Sequence, residues 1–110
     1  MGTDTSIIRG TLDMLPLKTV WVEPMHGWGI SESIEARSGD RLKIQPGSLY
    51  ASLHRLTREG WIRSYWAASP AGRRARYYAL TPAGAGQLRA ETEHWTRLVA
   101  GVAQVMALST

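Results

Sequence analysis

The chain contains no cysteine, so neither a disulfide framework nor a thiolate metal site is open to it, and stability must come from packing alone. It also lacks any run of about 18 apolar residues, the length that crosses a bilayer as a helix. The opening MGTDTSIIRG has neither the basic nor the apolar segment of a secretory leader. These absences lead to the expectation of a cytoplasmic protein in a reducing compartment, without a membrane partner. Catalytic chemistry has little to draw on. The three histidines, His26, His54 and His94, are scattered, and no carboxylate pair or phosphate-cradling glycine loop is recognisable. His26 has no second ligand at useful spacing, so no metal is expected and the residue is read as a cap or a packing group. The expectation is a non-enzyme without a cofactor.

What is present is 110 residues with 44% hydrophobic content, enough for one compact domain with its own core. The formal net charge of +4 matters less than its distribution. Between positions 41 and 76 lie eight basic residues, Arg41, Lys43, Arg55, Arg58, Arg63, Arg73, Arg74 and Arg76, against a single acid, Glu59. The rest of the chain has five basic side chains against eight acidic ones. A polarised molecule follows, with one face suited to a polyanion, as nucleic-acid binding requires.

Apolar spacing at Ile8, Leu12, Leu15 and Thr19 predicts a first helix over 7–22, with a kink or break near Leu15 caused by Pro16. After the connection Met25-His26-Gly27, Ile30 and Ile34 mark a second helix over 28–37, stopped by Gly39. Leu42-Lys43-Ile44 reads as a brief strand. Pro46 suits the first turn of a third helix over 47–58, with Leu49, Leu53 and Leu56 buried and Gly60 at its end. Residues 61–67 and 76–80 are aromatic and β-branched, and 68–72 supplies the turn of a hairpin. Tyr78 and Leu80 then face the core while Tyr77 faces away. Thr81 is an N-cap before Pro82, opening a last helix that runs toward Leu108. In it Leu88, Thr92, Trp95, Val99, Val102 and Met106 step by 4, 3, 4, 3 and 4, a heptad seam that asks for a second copy of the chain.

The order helix, helix, helix, hairpin, long helix is that of a winged helix-turn-helix. The fold class is therefore α+β and mostly helical. Residues 1–80 are assigned to a DNA-binding domain and 81–110 to a dimerisation helix. The third helix would enter the major groove and the hairpin would lie along the adjoining backbone. Off the apolar stripe, the Tyr50 hydroxyl can donate to a phosphate and His54 can meet backbone or a base edge; the alternatives are a packing ring and plain surface. Gln45 can read adenine if it projects into the groove. Arg73, Arg74 and Arg76 cluster as if against something anionic. Lys43 and Arg55 are secondary candidates, either free for DNA or paired with Glu59 or Asp40. Trp21 and Trp28 are read as core.

Several stretches carry a family resemblance: IIRGTLDMLPLKTV, MHGWGI, QPGSLYASLHRLTREGWI and RRARYYALTPAG. On these the chain resembles PadR-family transcriptional regulators over nearly its whole length. The single terminal helix is similar to the compact subgroup, and ETEHW resembles its acidobacterial-type members. Pro16 and Gln45 depart from the pattern, which usually has an aliphatic residue and a Ser or Asn cap. The resemblance places Ser48, Tyr50 and His54 on the DNA-facing side of the recognition helix, and Arg73 and Arg74 at the wing tip. It implies a homodimeric repressor that binds a palindromic operator in double-stranded DNA and is released by a small aromatic or hydrophobic effector. Trp95 in the seam is then either interface core or the wall of an effector pocket, to which Trp21 and Trp28 would add. The rival reading is a winged-helix protein-interaction module without DNA binding, against which the charge map argues; RNA binding is a further, weaker option.

Overall fold

The computed structural model describes residues 5–109, with side chains described from residue 12 onward. The elements run α1 (Thr5–Val22), β1 (Met25–His26), α2 (Gly27–Arg37), α3 (Pro46–Arg58), β2 (Ile62–Ala68), β3 (Arg74–Leu80) and α4 (Pro82–Met106). Three helices pack on one face of a small antiparallel sheet of order β1-β3-β2. The core is made by Leu17 and Val20 of α1, Ile30 and Ile34 of α2, Leu49, Leu53 and Leu56 of α3, Ile62 and Tyr78 of the hairpin, and Leu88 of α4. The predicted apolar stripes of the second and third helices are thus the buried ones. The Ile8 side chain, expected on the stripe of the first helix, lies outside the described residues.

Helix α1 is not broken at Pro16, which is buried inside it. Proline there removes one backbone donor, but its ring is packed in the interior, and one turn on the buried Thr19 Oγ1 donates to the Leu15 carbonyl at 2.8 Å. The expected strand at 42–44 does not form. The third strand is instead Met25–His26, pairing with Tyr78 and Tyr77 of β3. Residues 41–45 carry no strand partner; Gly39 and Asp40 both adopt left-handed backbone, and Ser38 Oγ accepts from the Leu42 amide at 2.9 Å. Only Ile44 of that run packs against the core.

His26 does two jobs. Its Nδ1 accepts from the Gly29 amide at 3.0 Å, capping α2, and its ring meets Tyr77 edge-on at 5.4 Å. Nδ1 can accept only when it carries no proton, so the cap requires that nitrogen to be bare. Tyr77 in turn stacks on Tyr65 at 5.8 Å, with the Arg63 guanidinium over Tyr65. As expected, Tyr78 faces the core and Tyr77 faces away.

The junction between hairpin and α4 is tightly specified. Thr81 Oγ1 accepts from the Gly84 amide at 3.0 Å and donates to the Gly60 carbonyl at 2.6 Å, while the Thr81 amide donates to the Trp61 carbonyl. Gly84 is buried, and a Cβ added to it would overlap the Trp61 carbonyl oxygen. Gly84→Ala should therefore lower stability by about 2 kcal/mol in urea unfolding, because backbone must move. Gly86→Ala, with open space around the position, should be neutral or stabilising by up to about 1 kcal/mol. Equal effects at the two glycines would contradict the close approach.

Beyond Glu91, no residue of α4 is buried. A helix of 25 residues spans about 37 Å, and the molecule measures 56 × 28 × 26 Å, consistent with this helix running well past the body. Trp95, Leu98, Val99, Val102, Val105 and Met106 form an exposed apolar stripe along the projecting part. Leu88, read from the sequence as the start of the seam, instead belongs to the chain's own core. Trp21 and Trp28, expected inside, are 54% and 68% exposed; Lys18 lies over the Trp21 ring at 3.6 Å. Trp21 falls next to the end of α1 and Trp28 at the start of α2, where there is little body left to cover an indole.

Candidate nucleic-acid interface

Helix α3 begins at Pro46, with Gln45 as a cap residue whose side chain makes no capping hydrogen bond. The amide end of α3 therefore stays open. No acid occupies its first turn, so the positive end of the helix dipole is uncompensated, as a phosphate prefers. Leu49, Ser52, Leu53 and Leu56 turn inward, which leaves Gln45, Ser48, Tyr50, Ala51 and His54 exposed. Four of the residues singled out in the sequence, Gln45, Ser48, Tyr50 and His54, are thus exposed on α3 or at its cap.

Tyr50 is 53% exposed, and its ring leans across to the start of α2. A Cβ on Gly27 would stand 2.6 Å from the Tyr50 hydroxyl. The packing and contact readings of this residue are therefore compatible: the ring is fixed against Gly27 while part of it remains open to solvent. Burial pushes the Tyr78 hydroxyl above the ordinary phenol range, with Arg76 opposing the shift and Tyr50 adding to it.

The wing is the β2–β3 hairpin. Its turn is closed by the Gly72 amide donating to the Ser69 carbonyl and the Ser69 amide donating to the Arg73 carbonyl, with Gly72 at φ +83°. Strand β3 begins at Arg74, two residues earlier than the sequence indicates, so Arg73 is in the turn but Arg74 is a strand residue. Register pairs Ile62 with Leu80, Ser64 with Tyr78, Trp66 with Arg76 and Ala68 with Arg74. One face of the hairpin therefore starts in the core, against the helices, and continues outward as Trp66, Arg76 and Arg74. Arg76 Nε donates to Ser64 Oγ at 3.1 Å, and the Arg74 guanidinium lies 5.4 Å from the centre of the Trp66 ring. Arg63 is on the opposite face. Two helices with an exposed third-helix surface, followed by a basic hairpin that extends beside it, are the parts of a winged helix-turn-helix.

The sequence profile described as "Transcriptional regulator PadR-like family" matches residues 17–90, from the middle of α1 through the wing into α4. The chain belongs to the PadR-like family. An uncharacterised protein of Lysinibacillus sphaericus is 29% identical over 94 residues, covering 86% of each chain. Among solved structures, a transcriptional regulator from Clostridium thermocellum is 26% identical, with a TM-score of 0.80 over 97% of this chain and all of that one. A PadR family transcriptional regulator from Eggerthella lenta is 30% identical, with a TM-score of 0.75 over 96% of this chain and 89% of that one. The expected winged-helix fold and the expected regulator rather than enzyme agree with these relatives. Among the described residues no helix is long and apolar enough to cross a membrane.

In this PadR-family chain the remaining basic candidates are unequal. Arg55 is held by Asp13 of α1: its Nε donates to Oδ2 at 3.1 Å and its Nη2 to Oδ1 at 2.7 Å, while Ser52 Oγ also donates to Oδ1. That hydrogen bonding raises the Arg55 pKa above its usual value against the lowering effect of burial. The sequence points to Glu59 or Asp40 as its partner; the actual one lies 42 positions away. Arg55 thus joins α1 to α3. Lys43 approaches Glu35 at 3.6 Å with 77% of its side chain exposed, a weak pair that leaves the ammonium available. Trp66, 57% exposed on the basic face, is not among the candidates that the sequence supplies. Its register with Arg76 is the signal that could have found it. Trp95 is 40% exposed and does not line the shallow cleft at the α1–α3–α4 junction, which is bounded by Asp13, Leu17, Leu56, Trp61 and Gln87.

Proposed function

We propose that this PadR-family chain is a homodimeric DNA-binding repressor. Two copies pair along the α4 stripe, and each sets the outer side of α3 into a major groove of one palindromic operator. The observation that carries the reading is an exposed polar side of α3, with Gln45, Ser48, Tyr50 and His54, in a chain whose next elements form a hairpin with Arg74 and Arg76 on one outward-running face and Arg73 in its turn. Within this set Gln45, Ser48 and His54 are assigned to base edges. Tyr50, Lys43 and the three wing arginines are assigned to phosphates, which fix register without reading sequence. Arg55 contributes through Asp13 by holding the angle of α3.

A dimer seated on its operator excludes other proteins from those base pairs, which is repression in its simplest form. Release requires a ligand that binds the dimer better when its two α3 helices are wrongly spaced. Trp95 is the residue assigned to such an effector: its half-exposed indole stands where α4 leaves the body, so two copies flank a flat apolar slot suited to a small aromatic compound. The account is tested by incubating the purified protein with fragmented genomic DNA and sequencing what is retained. Enrichment of inverted repeats with half-sites about 10 base pairs apart is expected. Retention of fragments without a shared repeat would contradict it.

A further inference from the structure

We infer that Trp66 is a DNA contact of the wing, its indole packing on the deoxyribose and phosphate backbone beside the groove that the recognition helix enters. The inference rests on the DNA-binding reading above and adds an uncharged residue to it.

Trp66 is the outermost large apolar residue on the helix-facing side of the hairpin. Along that face Ile62 and Tyr78 are buried, and at Trp66 and Arg76 the surface has left the body. The indole belongs neither to the core nor to the partly buried residues packed against it. Nor is it needed to stiffen the hairpin. The Tyr65–Tyr77 stack, one register step away on the opposite face, already supplies a cross-strand aromatic pair, and Tyr77 Oη donates to the Ala68 carbonyl. A 57%-exposed tryptophan in this place is therefore unaccounted for by the fold.

Its surroundings indicate what covers it. Arg76 is its partner across the strands and Arg74 stands over the ring at 5.4 Å. Neither strand contains an acid, and the turn 69–73 contains none either. A flat apolar surface framed by two guanidiniums and no carboxylate suits a partner that alternates anionic groups with apolar rings. The sugar–phosphate backbone is such a partner: the indole can bury against a deoxyribose while its Nε1–H and the two arginines meet the flanking phosphates. An acidic protein partner would need the same cations but would gain nothing from adjacency to α3.

The test uses the full-length protein and a fluorescently labelled mixed-sequence duplex of about 30 base pairs, with affinity read by anisotropy over a range of salt. Trp66→Ala should weaken binding about tenfold while leaving the slope of log affinity against log salt unchanged, because no charge is removed. The same factor should appear in an Arg74→Ala background. An unchanged affinity would overturn the inference, and so would a loss that vanishes in that background, since Trp66 would then act only by holding Arg74. As a check that does not depend on a variant's folding, the protein carrying 5-fluorotryptophan should show the Trp66 fluorine resonance shifting on addition of the duplex. A resonance that stays in place while the protein binds also overturns the inference. Failure of the unmodified protein to bind the duplex at low salt would instead remove the DNA-binding reading, and this inference with it.

Discussion

Val99→Asp combined with Val102→Asp is expected to turn the protein into a monomer and to weaken operator binding by about a thousandfold or more. Both valines are on the exposed stripe of α4, 44% and 53% accessible, and neither is buried against the described residues. In a paired seam each would be buried against the other copy, where a carboxylate without a partner is strongly disfavoured. Loss of pairing then costs DNA binding more than any single contact does. Two linked half-sites bind with an effective concentration near millimolar for the second engagement, and a monomer forfeits that advantage. Size-exclusion chromatography with light scattering reads the first effect and anisotropy with the selected operator reads the second. The winged body should keep its fold, because α4 beyond Glu91 has no buried residue. A variant that stays dimeric, or a monomer that binds as tightly as the parent, would show that α4 does not do this work.

Arg73→Ala combined with Arg74→Ala is expected to weaken binding by on the order of a thousandfold near 0.1 M salt, by a similar factor for operator and unrelated duplexes. Arg73 lies in the turn and Arg74 at the first residue of β3, and the proposed interface assigns both to phosphates rather than to base edges. Removing one arginine from a phosphate should reduce the steepness of log affinity against log salt by about 0.9. The slope of the dimer, which presents each arginine twice, should therefore fall by about 3.6. Changes on α3 should behave differently: Gln45→Ala or His54→Ala should alter which sequences are preferred while leaving the slope nearly intact. Isothermal or anisotropy titrations at several salt concentrations separate the two. A wing variant that binds like the parent would take the hairpin out of the interface.

Much of this architecture is legible in the sequence because local rules decide it. The stripes Ile30 with Ile34 and Leu49, Leu53 with Leu56 are helical periodicities, and each stripe is buried. Thr81 with Pro82 and the glycines at 60 and 72 announce a cap and two reversals that the backbone then makes. What is not legible depends on tertiary context. A two-residue strand such as Met25–His26 has no alternation to detect, and only the β3 edge makes it a strand. Leu42-Lys43-Ile44 alternates correctly but pairs with no strand of the sheet. The bond from Arg55 to Asp13 joins helices far apart in sequence, so no charge count could select that carboxylate over Glu59. Hydrophobicity alone assigns Trp21 and Trp28 to the core, yet a body this small leaves them at the ends of helices.

The candidate surface divides along the same line. The outer residues of α3 follow from its period, whereas the choice among eight basic residues depends on the three-dimensional arrangement. Register separates Arg74 and Arg76 from Arg63, and the Asp13 pair removes Arg55 from the freely available set.

The most direct measurement of the central claim is the affinity of the unmodified protein for a labelled duplex, titrated from about 0.05 to 0.5 M potassium chloride. Several phosphate contacts per subunit, presented twice, predict a steep linear fall of log affinity with log salt, with a slope of about −5 or steeper. A flat response, or no binding at the lowest salt, would contradict the account and favour a winged scaffold that uses α4 to hold another protein.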